Sequence, residues 1–355
     1  MKSIYLTPGP TELYPVVKKS IAEAIDKDIC CLSHRSQQFM DIYKHTFDNL
    51  KQLLNIPDNF HMLFVSSATE CMDVILRGCA REYSYHFVNG GFSKRFFNIA
   101  NEVEKKAKKI DVPYGQAFSD LNDIDIPGNP ELIAITQNET STGVAIQSDY
   151  ITNIKKKFPD SILVVDIVTA APYMKLDYSG IDASFFSVQK GFGMPSGLGV
   201  LFVNEKVIER SAKLRSEKVH IGGFHNMIWL HENAIKFQTS ETPNVLGIYL
   251  IGKVAEHLNN YGVDKMRKET EEKAKLLYDF FDNSEFKPFV KNKQDRSQTV
   301  IVVDTPNPKE IKDKLAKHGY IIGSGYGDYL NSQIRIANFP MHKIEWMEEI
   351  ISLLK

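Results

Sequence analysis

The chain has 355 residues, 43% hydrophobic and 25% charged, fractions of an ordinary globular protein that exclude intrinsic disorder and collagen-like repeats. Its 43 basic residues against 44 acidic ones leave a formal net charge of −1, without the basic excess that broad nucleic-acid binding requires. No apolar run approaches the ~18 residues of a membrane span, and the four cysteines (Cys30, Cys31, Cys71 and Cys79) show no CxxC metal spacing, so a soluble cytoplasmic protein without a metal is expected.

The opening MKSIYLTPGP breaks on Pro8, Gly9 and Pro10 before a signal-peptide core could form. It is too short to fold alone and is expected to pack across another domain. From residue 61 onward, HMLFVSS, SYHFVNGG, KKIDVPY, ELIAITQNET, SILVVDIV, ASFFSVQK and LGVLFVNE read as short strands. Most are continuously apolar, as strands covered by helices on both faces must be. ATECMDVILRGCARE, SKRFFNIANEVEKKAK and SDYITNIKKKF, lying between them, read as helices, the first beginning near Glu70. This βα alternation predicts a doubly wound α/β domain with a mostly parallel sheet and a site at the carboxyl ends of its strands.

After about Gly247 the pattern changes. Leu246 to Asp282 reads as long helical material, and QTVIVVD, KEIKDKLAKH, YIIGSG, SQIRIANF and HKIEWMEEIISLLK give β, α, β, β and α. A large α/β domain over 16–247 and a smaller α+β domain from 1–15 and 248–355 are therefore expected. No internal repeat or low-complexity linker separates them.

Four features fall at predicted strand ends. Asp166 closes SILVVD, where a desolvated carboxylate wants a cationic partner; alone it reads equally as a cap or half of a buried ion pair. Lys190 follows the apolar strand of FFSVQKG and precedes a glycine-rich turn; burial there lowers an amine's pKa and readies it for carbonyl chemistry, though a lone lysine can snorkel outward. Ser66-Ser67-Ala68-Thr69, at a strand-to-helix turn, offers donors to an anion or simply an N-cap. Asn89-Gly90-Gly91-Phe92-Ser93 lifts an aromatic ring to the rim of the sheet. Together they suit pyridoxal 5′-phosphate, which needs a lysine for its aldehyde, a carboxylate for its ring nitrogen, an anion site and a flat apolar face.

The ordered set LTPGPT, SHRS, SSATE, NGGFS, NETSTGV, VVD, SVQKG, TP at 242–243 and IRIANF resembles the class V pyridoxal-phosphate aminotransferases, in the branch that holds phosphoserine aminotransferase and the alanine/serine–glyoxylate aminotransferases. The resemblance spans nearly the whole chain and implies fold-type I, a homodimer, and transfer of an amino group between a small, anionic amino acid and a 2-oxo acid. It implies phosphoserine and 2-oxoglutarate first, in serine biosynthesis, with alanine or serine and glyoxylate or pyruvate as the alternative and another reaction of the cofactor, as in a lyase, behind both.

By the same resemblance Lys190 would tether the cofactor and shuttle a proton, Asp166 would pair with the ring nitrogen, and Phe92 would stack on the ring where relatives often carry Trp. Thr140 would bond the cofactor's phenolic oxygen. Ala68, Thr69 and Gln189, with Ser187, would hold the phosphate, and Thr242 would reach the phosphate of the neighbouring subunit, after Glu241 where the family often has Asn. Arg335 would grip the substrate carboxylate as a bidentate fork. His34 and Arg35 resemble the segment that meets the distal phosphate of phosphoserine. The second His-Arg pair that such enzymes carry is missing from GSGYGDYLNSQIR, leaving Lys218, His220 or His225 as other sources of positive charge.

Three competing readings are weaker. A cysteine desulfurase needs a late nucleophilic cysteine, and all four here precede residue 80. A dinucleotide-binding loop at Gly191, Gly193 and Gly197 would have to open a helix, whereas Pro195 and LGVLFV lead into another strand. A non-catalytic sensor on this fold would be expected to lack the lysine.

Overall fold

A computed structural model describes residues 3–355; Met1 and Lys2, where the expected 1–15 segment begins, lie outside the described residues. In chain order the elements begin with β1 (Ile4–Leu6), α1 (Pro15–Asp26), α2 (Gln37–Leu54), β2 (Phe60–Val65) and α3 (Ala68–Cys79). Next come β3 (Tyr83–Val88), α4 (Gly91–Glu102), β4 (Lys106–Asp111), β5 (Leu132–Thr136), the hairpin β6 (Asn138–Glu139) and β7 (Val144–Ala145), and α5 (Ser148–Lys157). They are followed by β8 (Ile162–Asp166), β9 (Ala183–Ser187), β10 (Gly199–Asn204), α6 (Glu205–Ser216) and α7 (Met227–Ala234). The long helices α8 (Val245–Tyr261) and α9 (Val263–Asp282) precede β11 (Lys287–Pro288) and β12 (Val300–Asp304). Finally α10 (Pro308–Lys317), β13 (Tyr320–Ser324), β14 (Gln333–Ala337) and α11 (Ile344–Leu354) complete the chain.

The apolar runs form the expected seven-stranded sheet, in the order β2-β10-β9-β8-β5-β3-β4. Strands β5, β8 and β9 are buried at every position and pair in parallel, as continuous apolar strands covered on both faces should. β10 runs antiparallel to both its neighbours. At the far edge β4 exposes Lys106, Lys108 and Lys109, charges that discourage another strand from adding there.

Two boundaries differ from the sequence reading. The helix expected to run through EVEKKAK stops at Glu102; Glu104 adopts a positive φ of 60°, and Lys106–Asp111 becomes the edge strand. Here pairing with β3 overrides local helix propensity. Helix α3 begins two residues earlier than Glu70, at Ala68, because Ser67 caps it by accepting from the Glu70 amide at 3.2 Å.

The second sheet has the order β1-β13-β14-β12-β11. The proline-containing opening contributes a strand to it, with β1 pairing in parallel with β13. Its strands alternate between two cores. Ile301, Val303, Ile334 and Ile336 face a cluster with Leu277 and Phe281 of α9 and Met347 and Ile350 of α11, whereas Val300, Val302 and Ala337 join the cluster of the large sheet. Helix α8 also contributes to the cluster of the large sheet, against α1 and α2. Because side chains alternate along a strand, Arg335, between Ile334 and Ile336, points towards the large sheet.

Gly199 pairs with both Val65 and Ser187 at the carboxyl end of the large sheet. A Cβ there would lie 2.6 Å from the carbonyl carbon of Ser67, in the turn that opens α3. Gly199→Ala is therefore expected to destabilise the protein by about 1–3 kcal/mol through overpacking, read as a lower urea midpoint. An unchanged midpoint would mean that the turn yields freely.

Candidate active site

The carboxyl ends of β2, β3, β5, β8 and β9 carry the residues singled out in the sequence. Lys190 lies three residues beyond β9 and is only 9% exposed. Its amine donates to the carbonyl of Pro8, and its Nζ stands 5.7 Å from the centre of the Phe92 ring. Gly9, at φ 116°, lies against the lysine stem so closely that any Cβ would overlap Cδ, Cε and Nζ. Burial, reinforced by the positive charge of Arg335 and opposed by Asp166, lowers the Lys190 pKa to about 8.

Asp166 ends β8 and is 3% exposed. Its Oδ1 accepts from the amide of Val168 at 2.9 Å, and among the described residues no cation lies within ion-pair distance. Burial raises its pKa to about 7; the Val168 N–H and Lys190 favour the charged form, while Glu139 opposes it. A buried carboxylate in this condition lacks a cationic partner.

At the end of β2, the Ala68 amide donates to Ser187 Oγ at 2.7 Å, which ties the α3 turn to β9. The Ala68 donor expected for an anion is thus already engaged, while Thr69 is exposed in the first turn of α3. Gln189 has a buried Oε1 without a hydrogen-bond partner, beside Lys190 in the chain.

Phe92 is the second residue of α4, and its position is set by a residue the sequence reading passed over. Glu139, fully buried, accepts from the amides of Phe92 (3.2 Å), Ser93 (2.9 Å) and Ser141 (3.1 Å) and from the hydroxyls of Ser93 (2.9 Å) and Ser141 (2.7 Å). A carboxylate at a helix N-terminus is favoured by the dipole, and here it fixes the ring-bearing turn. The pattern NGG had a readable cause: a Cβ on Gly90 would collide with the Glu139 side chain.

The next residue, Thr140, is buried. Its Oγ1 lies 3.0 Å from Thr169 Oγ1, and its carbonyl accepts from Arg335 Nη1 at 3.1 Å. Arg335 Nε donates to Ser324 at 2.7 Å, so two carbonyls aim the guanidinium while its Nη2 has no hydrogen bond among the described residues. Tyr326, from the stretch where the His-Arg pair is missing, lies with its ring 5.6 Å from the guanidinium carbon and 5.2 Å from the Phe92 ring.

Lys190, Phe92, Thr140 and Arg335 are thus linked by contacts that draw on both cores, with Asp166 at the end of the strand beside that of Lys190. His34, Arg35 and Thr242 belong to a different neighbourhood. Arg35 is exposed and bonds Asn233 Oδ1 (3.0 Å) and Gln238 Oε1 (2.6 Å). His34, whose pKa burial and Arg35 lower, feels the charge of Glu241, and Thr242 is exposed. Neither His34 nor Arg35 bonds any member of the Lys190 group. The buried amine, the carboxylate without a cation and the ring beside the amine fit pyridoxal phosphate.

The sequence profile described as Aminotransferase class-V matches residues 7–327. A phosphoserine aminotransferase of Rhodococcus opacus (strain B4) is 25% identical over 340 residues, covering 94% of this chain and 89% of that protein. The solved structure of a phosphoserine aminotransferase from Cytophaga hutchinsonii superposes with a TM-score of 0.97 at 42% identity, covering 99% of this chain and 98% of that one. An alanine–glyoxylate aminotransferase from Nostoc sp. shares the fold at a TM-score of 0.81 and 18% identity, covering 100% and 96%. The chain therefore belongs to the class V aminotransferases, fold-type I enzymes that use pyridoxal phosphate to pass an amino group between amino acids and 2-oxo acids.

Proposed function

We propose that this transaminase binds pyridoxal phosphate at Lys190 and takes its amino group from phosphoserine, with 2-oxoglutarate as acceptor. The carrying observation is a buried amine of lowered pKa, Lys190, facing Phe92 and Arg335 with the unpaired carboxylate of Asp166 at the end of the neighbouring strand. When bound, pyridoxal phosphate supplies an aldehyde carbon and an electron-accepting ring. Asp166 holds a proton on the ring nitrogen, and Phe92 covers a ring face. The Thr140 hydroxyl serves the phenolic oxygen. Thr69, Gln189 and Ser187 hold the phosphate, together with the α3 turn that Ala68 anchors.

The Lys190 amine is the tether and, once freed, the base that takes the substrate's Cα proton at Nζ and later returns it. Its low pKa leaves a usable fraction unprotonated near neutrality. Arg335 receives the substrate α-carboxylate with its unengaged Nη2 side, and the Pro8–Gly9 segment screens the amine from water. We assign Thr242, His34 and Arg35 to the site of a neighbouring subunit in a homodimer, because in their own chain they lie apart from the Lys190 group. A cytoplasmic location fits the sparse cysteines, and among the described residues no helix is long and apolar enough to cross a membrane.

A second reading, alanine or serine with glyoxylate or pyruvate, is favoured by the stretch before Arg335, where Tyr326, Asp328 and Tyr329 stand and no His or Arg does. Steady-state kinetics with both donors separates the two. The leading reading expects phosphoserine to have a KM at least about tenfold below that of alanine, and Arg35→Ala to raise the phosphoserine KM by about ten- to a hundredfold while leaving alanine unaffected. A preference for alanine, insensitive to Arg35, would overturn it in favour of the second.

Asp166 carries a pH signature. A carboxyl whose pKa is raised on folding binds its proton more tightly in the folded state, so stability is lost as pH rises from about 4 to about 7. In cofactor-stripped protein, Asp166→Asn is expected to raise the urea midpoint at pH 8, with the gain vanishing near pH 4. Equal midpoints at pH 8 would show that Asp166 is not held without a cation.

A further inference from the structure

The segment leading to Thr242 is fastened by a cluster that the reaction does not use. His225 is 8% exposed and held at a positive φ of 51°. Its Nδ1 lies 2.5 Å from Glu70 Oε1 and its Nε2 2.6 Å from Glu241 Oε2. The other Glu70 oxygen accepts from the amide and the hydroxyl of Ser66, each at 2.6 Å, and Ser240 Oγ donates to Glu241. The exposed ring of Phe224 stacks on the imidazole at 3.8 Å. The ionisable groups facing His225 are thus Glu70 from α3 and Glu241 from the segment before α8, with His34 and Arg35 beyond Glu241.

Glu70 is the third residue of α3, on the turn proposed to hold the cofactor phosphate, and Glu241 directly precedes Thr242. Two carboxylates beside an anion site repel the anion unless a cation neutralises them. We infer that His225 is a positioning residue for the phosphate site: by bridging Glu70 and Glu241 it cancels part of their charge beside the α3 turn and fixes the segment that carries Thr242 towards the neighbouring subunit. The inference rests on the proposed placement of the phosphate. Burial works against charge on His225, but its contacts with Glu241 and Glu70 outweigh this and raise its pKa to about 9, so the bridge is intact at neutral pH and lost as pH rises through about 9. Glu70, despite burial, is held down to about 2 by His225 and Ser66 and stays ionised throughout.

The test compares binding of pyridoxamine 5′-phosphate with that of pyridoxamine by fluorescence titration, the Kd of pyridoxamine divided by that of pyridoxamine 5′-phosphate isolating the phosphate's contribution. His225→Gln is expected to lower that ratio about tenfold at pH 7.5, and the double variant His225→Gln/Glu241→Gln to restore it. The wild-type ratio should fall as pH passes about 9, and that of His225→Gln should not. A single variant with an unchanged ratio, or a double variant as weak as the single, would overturn the inference, the latter by showing a packing role. A wild-type ratio near one would instead overturn the placement of the phosphate, and the inference with it.

Discussion

The site depends on one electrostatic constraint: an amine and a carboxylate are buried at the ends of adjacent parallel strands without forming an ion pair. Among the described residues the Lys190 amine donates only to the Pro8 carbonyl and the Asp166 carboxylate accepts only from the Val168 amide, both almost fully removed from water. Burying either charge unpaired is costly, and each group answers by shifting towards its neutral form. A sheet stabilised by the continuous apolar strands around them can carry this local cost. What results is an amine that can act as a nucleophile and base near neutral pH, and a carboxyl poised to pair with a cation. Mutual pairing would have silenced both.

The second constraint is geometric. The small sheet has no solvent-facing side over its central strands: alternate residues of β12 and β14 enter different cores. That alternation delivers Arg335 to the large sheet, where the carbonyls of Thr140 and Ser324 aim its guanidinium. The same sheet anchors β1, so the chain that leaves it crosses directly over Lys190 and meets the core of the large sheet where the Tyr14 amide donates to Gly193 at 3.0 Å. The placement of Arg335 and the shielding of the amine are therefore both contributions of the smaller sheet, and any relative movement of the two cores would be felt at Lys190.

Much of this was legible in the sequence because the signals are local. Unbroken apolar runs marked the buried parallel strands, and polar residues at their ends marked Asp166, Lys190 and the α3 turn. The helix expected through EVEKKAK failed because the alternation of charged and apolar residues there serves an edge strand as readily as a helix, and only pairing with β3 decides. Glu139 was missed although its motif was noticed, since its role depends on amides of a turn some 46 residues earlier in the chain. Tyr326 and the His225 bridge were illegible for the same reason: each is defined by partners brought together only by the tertiary fold.

Lys190 is proposed as the single covalent anchor of the cofactor. Reducing the purified, cofactor-loaded enzyme with borohydride and mapping the modified peptide by mass spectrometry tests it most directly. The account predicts a single pyridoxyl-phosphate adduct on Lys190. An adduct confined to another lysine, or a protein that acquires none, would contradict it.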